Sequence, residues 1–308
     1  MSTITSAYTE ALTVAKLAAG AQHYPQSTLY VVATPIGNLA DMSLRALYVL
    51  GLADTIACED TRHTGQLLHA YGLHKSLMAV HEHNEAEAAQ NVIAKLQTGE
   101  RVVYVSDAGT PAISDPGSRL VASVAASGFR VMPLPGASSV TTVLSAAGCV
   151  NTVGFVFAGF LPAKGAERAT ALKQFETYNR AVVVLEAPHR IEMLFKELAC
   201  FGERRVTIGR ELTKQFESIH TVAASQLPEW LAAKADNARG EFALVIHPQP
   251  VQNTNALTAD TITTTATALL TRLLQDLPLK TAVQITMDVS GLPKNSLYDQ
   301  ALKLKDAS

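Results

Sequence analysis

Between residues 29 and 147 five short apolar runs alternate with stretches of helical period, and few architectures accept that pattern. The runs are residues 29–33 (LYVVA), 55–59 (TIACE), 77–83 (LMAVHEH), 102–106 (VVYVS) and 130–134 (RVMPL). The central ones lack the polar alternation of a sheet with one wet face, so they read as strands buried on both sides. Between them lie helical stripes: Leu44, Leu47, Tyr48 and Leu50 after Ser43; Ala88, Val92, Ile93 and Leu96 behind a cap at Asn84; RLVASVAASG opened by Ser118; and a small-residue helix ending at Ala147. Strand and helix in alternation with short links predict an α/β domain on a largely parallel sheet.

At residues 148–152 (GCVNT) the rhythm resets. Strands are expected at 155–160, 181–187, 205–212, 217–222 and 242–247, with helices near 166–178, 190–201 and 227–235. The short gap inside 205–222 predicts a hairpin, hence a mixed second sheet. A polar linker opens at Pro248, and the last fifty or so residues carry only helical patterns. The expected division is a loose N-terminal extension over 1–28 with one short helix near 11–19; an α/β domain over 29–148 carrying the cofactor loops; a second α/β domain over 149–250 completing a cleft; and a linker and helical tail over 251–308. A 308-residue chain accommodates two such domains.

Composition excludes several function classes. No apolar run reaches the roughly 18 residues that span a bilayer, and the first 27 residues lack the basic start and uninterrupted apolar stretch of a signal peptide. Cys58, Cys149 and Cys200 are far apart and form no CxxC, against both a disulfide framework and a zinc site and in keeping with the reducing cytoplasm. A net charge of −2 predicts no general affinity for polyanions, so any nucleic-acid contact must be local. Neither GxGxxG nor GxxxxGK[ST] occurs, which removes the dinucleotide fingerprint and the P-loop.

Chemistry concentrates where strands end. The fourth run breaks into SDAGTPAISDPG (residues 106–117), with two aspartates, two glycines and two prolines. At a strand's carboxyl end such a loop suits a ligand, because glycine admits close backbone approach and proline holds the loop still. TPIGN (34–38) follows the first run, and PGASS (135–139) brings two hydroxyls and free backbone N–H groups to a helix start. Each motif alone is as readily a turn or an N-cap; three at the ends of strands of one sheet are better explained by one shared ligand. His81 and His83 would share a face of a strand, but no third ligand is evident and no metal is expected. EAPHR (186–190) and RELTK (210–214) end two strands of the second unit and would give it a basic edge suited to phosphate. In the tail, GLPKNS (291–296) separates two helical runs like a helix-turn-helix, with Lys294, Asn295 and Lys303 available to a nucleic-acid backbone.

These motifs, with EDTR (59–62), HEHNE (81–85) and FLPAKG (160–165), occur in the order seen in the ribosomal small-subunit methyltransferase I family, which the chain resembles from about residue 29 to 301. That family is similar to the tetrapyrrole methylases. The resemblance implies two α/β domains, S-adenosylmethionine bound between them, methyl transfer to the 2′-hydroxyl of a decoding-centre cytidine in 16S rRNA, and a homodimer. It implies that Pro35, Ala108, Gly109, Thr110, Ile113, Ser138 and Ser139 line the cofactor from the first domain, with Glu186 and Leu212 from the second. Two departures from the porphyrin methylases favour the rRNA branch: the first turn is TPIGN rather than glycine-rich, and Gly109-Thr110-Pro111 replaces a Gly-Asp-Pro tripeptide. EAPHR also departs from the common aromatic-Glu-Ser form. A base would help a ribose hydroxyl attack, and Asp107 and Glu59 are the candidates, although structural hydrogen bonding to loop amides accounts for each better. Lys164, Arg168, Arg190, Arg210 and Lys214 are the expected RNA-binding rim. The alternatives are a porphyrinoid methylase and a non-catalytic ribosome-binding factor.

Overall fold

The computed structural model describes residues 2–81, 84–150, 154–249 and 264–306; Glu82 and His83, part of the reset at 148–152 and most of the linker lie outside them. The chain forms two compact units, Met1–Gln249 and Pro250–Ser308. Both expected sheets lie in the first.

The first sheet holds β1 (Thr28–Val32), β2 (Thr55–Cys58), β3 (Ser76–Ala79), β4 (Arg101–Val105) and β5 (Arg130–Leu134), all parallel, in the order β3-β2-β4-β1-β5. Its centre is sealed on both faces, as the unbroken apolar runs require: Val103 and Val105 enter one core, Val102 and Tyr104 the other. On the first face lie α1 (Ser2–Ala19), α2 (Leu44–Leu52) and α3 (Thr61–Ala70); on the second, α4 (Glu85–Gln97) and α5 (Ser118–Ala126). Ser43 caps α2 by accepting from the Ala46 N–H, and Asp60 caps α3 by accepting from Arg62 and His63.

Two expectations change here. The N-terminal stretch is not loose: α1 runs for 18 residues, and Ala15 and Ala19 are buried with Tyr8, Ala11 and Leu12 packed beside them. The third strand ends at Ala79 rather than reaching His83, because Asn84 turns backwards. Its Oδ1 accepts from the His81 N–H (2.8 Å) and its Nδ2 donates to the Ala79 carbonyl (3.1 Å). Asn84 stands at the head of α4 without capping it through the side chain.

The second sheet is mixed: β6 (Phe155–Phe160), β7 (Ala181–Glu186), β8 (Arg205–Arg210), β9 (Ser218–Ala223) and β10 (Phe242–Ile246), ordered β6-β7-β10-β8-β9. Only β6 and β7 are parallel, and β8–β9 is the expected hairpin. One face carries α7 (Ala166–Thr177), α8 (Ile191–Leu198) and α9 (Leu227–Ala232). The other is covered by α6 (Ser139–Ala147), which follows β5 of the first sheet yet buries Val140, Val143 and Ala147 against Val183, Ala243 and Val245. This one helix joins the two lobes. In the second unit α10 (Thr264–Asp276), α11 (Leu279–Ser290) and α12 (Lys294–Asp306) close around Leu270, Val283 and Leu297, with Gly291 in the left-handed region ending α11.

Candidate functional site

β1 and β4 are neighbours whose chains leave toward opposite faces, β1 toward α2 and β4 toward α5. Such a reversal opens a crevice at the carboxyl ends of the strands. The three suspected loops meet there. Thr34 and Gly109 exchange both backbone hydrogen bonds (2.9 and 3.0 Å), joining TPIGN to the central loop. Thr110 Oγ1 donates to the Ala137 carbonyl (3.1 Å), joining the central loop to PGASS. A Cβ on Gly136 would stand 2.9 Å from that of Ala33, so the first and third loops touch as well.

The second lobe closes over this junction. Ser114 Oγ lies 2.7 Å from where a side chain on Gly159 would begin, at the register shift of β6. Gly37 abuts Thr213, Lys214 and the Leu212 carbonyl. Backbone strain gathers at the same place. Of the five non-glycine residues with positive φ among those described, Ala112 and Ser114 flank Ile113, while Glu211 and Thr213 flank Leu212. Each costs of order 1–3 kcal/mol, and such strain persists where surrounding contacts hold it, most often at ligand sites.

Between the lobes lies a cavity of about 290 Å³ lined by Ser139, Glu186 and Leu212 among the expected residues. Ile36, Phe160, Leu185 and Phe242 add apolar wall that sequence reasoning missed. Phe242 had no signal: it belongs to the site because β10 pairs it with Glu186 across to β7. Pro35, Ala108, Gly109, Thr110, Ile113 and Ser138 do not line this cavity; they stand in the three loops around it. Glu186 is fully buried, with Oε1 3.1 Å from Arg190 Nε and Oε2 3.7 Å from Arg168 Nη1; Oε2 has no hydrogen bond.

Beside the crevice is an acid cluster. Asp107 Oδ1 accepts from the Asp60 N–H (3.1 Å), which gives that carboxylate a structural task. Glu59 is half-buried and has no hydrogen-bond partner among the described residues. Burial first, then the charges of Asp107, Asp115 and Asp60, raise its pKa above the usual carboxylate value. Burial likewise raises that of Asp115, against the effect of the Ser106 hydroxyl. Among the described residues no three His, Cys, Asp or Glu side chains stand where they could hold a metal ion.

The expected cationic rim is largely spent on the protein itself. Arg168 is the clearest correction, being 2% exposed. Its Nε and Nη2 bind Glu197 (2.7–3.0 Å) and its Nη1 donates to the Pro162 carbonyl (2.9 Å), so it cannot reach RNA. Arg190 pairs with Glu186 and donates to the Leu161 and Pro162 carbonyls. Arg210 donates to Ser218 Oγ and to the Phe216 and Arg239 carbonyls. Lys214 bridges Glu211 (2.9 Å) and Glu241 (3.1 Å). Lys164 is exposed, on the edge of a shallow groove of about 560 Å³ between α7 and α8.

Residues 28–228 match the family described as tetrapyrrole (corrin/porphyrin) methylases, and residues 260–305 match one described as the RsmI C-terminal HTH domain. The chain is 44% identical over 281 residues to the ribosomal RNA small subunit methyltransferase I of Escherichia coli O157:H7, covering 90% of this chain and 96% of that one. Among solved structures, a diphthine synthase superposes with a TM-score of 0.55 at 15% identity, over 72% of this chain and 90% of its own. A Thermus thermophilus uroporphyrin-III C-methyltransferase, complexed with S-adenosyl homocysteine, gives 0.50 at 17%, over 71% and 96%. At these identities the two structures support the fold alone.

Proposed function

Because the chain belongs to the ribosomal RNA small subunit methyltransferase I family, within the tetrapyrrole methylases, we propose that it methylates small-subunit rRNA with S-adenosylmethionine, at the ribose 2′-hydroxyl of a decoding-centre cytidine in 16S rRNA. The observation that carries this reading is the junction of three strand-end loops of one lobe, roofed by the 186–190 and 210–214 loops of the other, in a chain similar to that family over nine-tenths of its length.

The residues present suit the cofactor. Ile36, Leu185, Leu212 and Phe242 offer an apolar wall to a flat heterocycle. The Glu186 Oε2 acceptor, buried with no hydrogen bond, suits a ligand hydroxyl or amine, and the head of α6 at Ser138 and Ser139 suits a carboxylate. When bound, the cofactor supplies an electrophilic methyl group on a sulfonium. The protein's part is then alignment of the acceptor oxygen and removal of its proton. Glu59 suits the second task better than Asp107, because Asp107 is committed to the Asp60 amide whereas Glu59 is a half-exposed carboxylate made more basic by burial and by its acidic neighbours.

The test is incubation of labelled cofactor with unmethylated small subunits, followed by mapping of the modified nucleotide. Label at another atom would revise the site, and no label would sink the reading. Methylation of a porphyrinoid without ribosomal particles would favour the tetrapyrrole alternative, and failure to bind S-adenosylmethionine would favour a non-catalytic factor. The reading extends to a homodimer working in the cytoplasm, where ribosomal subunits are made; light scattering of the purified protein checks the first of these. Lys164 and the tail lysines Lys294 and Lys303 are the RNA contacts this geometry leaves available.

A further inference from the structure

The motif FLPAKG (160–165) has no task yet in the proposed reaction. It leaves the end of β6, an edge strand, and its first residue lines the cavity between the lobes while 54% exposed. Phe155 and Phe216 are also exposed, but neither lines that cavity. Register explains how Phe160 arrives there. β6 pairs Phe157 with Val183 and then Gly159 with Val184, so Ala158 is an extra residue in a β-bulge. In a strand, a shift of one position exchanges the two faces. Without the bulge Phe160 would fall on the core face that holds Ala158 and Val184; with it, Phe160 pairs with Leu185 and shares the face that Leu185 presents to the cavity. Gly159 makes the bend at φ 63°, against Ser114 of the central loop. The turn that follows is held still. Leu161 is buried in the core of the second lobe, its carbonyl accepts from Arg190 Nη2, and the Pro162 carbonyl accepts from Arg190 Nη2 (3.3 Å) and Arg168 Nη1 (2.9 Å). Two arginines of the expected rim thus fix the turn that presents Phe160 and Lys164. Lys164 is exposed, and a chain of four residues spans at most about 14 Å.

We infer that Phe160 positions the substrate: the base of the target nucleotide leaves its stack and lies on the Phe160 ring, with Lys164 on a neighbouring phosphate. The inference rests on the activity proposed above. The geometry favours RNA over the cofactor as the partner of this ring. Leu212 and Phe242, walls of the same cavity, are buried, whereas Phe160 stands more than half exposed at its edge. A half-wet ring offers its π-face to any base, and stacking of unpaired bases on aromatic side chains is how proteins grip single-stranded RNA. Drawing a nucleotide out of its stack to reach an enclosed site is costly, and an aromatic platform offsets the lost stacking. Lys164 brings to the same turn the positive charge that suits a phosphate.

Phe160→Leu and Phe160→Tyr in the full-length protein separate stacking from apolar contact, since leucine keeps the surface and tyrosine keeps the ring. Melting temperatures should stay within about 2 °C of wild type, the side chain being largely in water. With unmethylated small subunits, Phe160→Leu should lower kcat/KM about tenfold and Phe160→Tyr less than about threefold. Affinity for S-adenosylmethionine, by calorimetric titration, should hold within about twofold in both. Lys164→Ala should make the salt dependence of subunit binding shallower by about 0.7, and an unmoved slope overturns the phosphate contact. Wild-type kcat/KM in Phe160→Leu overturns the stacking site. So does a loss of S-adenosylmethionine affinity that matches the loss in kcat/KM, because the ring would then belong to the cofactor. If wild-type protein transfers no methyl, the activity reading has failed by itself, and the stacking site is judged on binding of unmethylated small subunits alone. Binding about tenfold weaker in Phe160→Leu then upholds it, and unchanged binding overturns it.

Discussion

Replacing Arg168 by methionine separates a structural arginine from an RNA-binding one. The side chain is 3% exposed and links Glu197 (2.7 Å) to Glu186, whose carboxylate is wholly buried. Methionine fills the volume but leaves Glu186 with only Arg190 as a counter-charge, at 3.1 Å and without a hydrogen bond to it, and the Ala187 N–H (3.0 Å) as a donor. Breaking a buried pair by removing one partner costs about 3–5 kcal/mol. For a unit of 150–250 residues each kcal/mol moves the melting temperature by roughly 2–4 °C, so calorimetry should find a drop of about 6–20 °C. Adding Glu186→Gln should return part of that loss, since the stranded charge goes with it. RNA binding by the folded variant, followed across salt concentrations at low temperature, should keep the wild-type slope. A melting temperature within about 2 °C of wild type, with a salt slope shallower by roughly 0.7–0.9, would mean that Arg168 neutralises a phosphate and would refute the reasoning.

Gly136→Val should push PGASS away from Ala33, weakening S-adenosylmethionine binding at least tenfold by calorimetric titration at a stability cost of about 1–3 kcal/mol; unchanged affinity would count against a shared loop site. His247 is buried, with its ring on Thr207 Oγ1 (2.8 Å) and near Cys149 Sγ (3.5 Å), and its pKa is pushed down to about 4 by burial and then by Arg205 and Arg204. Between the ordinary 6.5 and about 4 the unfolded chain holds a proton that the folded one refuses. The folded state therefore loses up to about 3 kcal/mol as pH falls through that window. The urea-midpoint gap between wild type and His247→Gln should accordingly be widest near pH 7 and close toward pH 4, and a gap flat in pH would contradict this. A chain ended after Gln249 should keep its S-adenosylmethionine affinity, because every proposed cofactor residue and a complete core lie within 1–249, and should lose methylation if the tail holds the RNA.

Much of this architecture was legible from the chain alone, for local reasons. A strand sealed on both faces must be an unbroken apolar run, and both the parallel β4 and the antiparallel β10 carry nothing else at their centres. Turn chemistry is equally local: the glycines, prolines and hydroxyls of 34–38, 106–117 and 135–139 marked the three loops that meet at the strand ends. Local patterns failed where a side chain had two uses. Asn84 reads as a helix cap but spends its amide on the end of β3, and the N-terminal stretch, expected to be loose with one short helix, packs on the first core as α1.

Tertiary structure decided which charges meet. The insertion of β4 between β2 and β1 brings the Asp107 carboxylate onto the Asp60 amide, 47 positions apart, and no periodicity announces that adjacency. Arg168 and Lys164 stand four residues apart in one loop-to-helix stretch, and sequence assigns them the same role. Folding buries the first between two carboxylates and leaves the second in water. The reason is physical: a run of apolar residues states its own burial, whereas a charge is silent about its partner until distant segments pack and the cost of desolvation selects one.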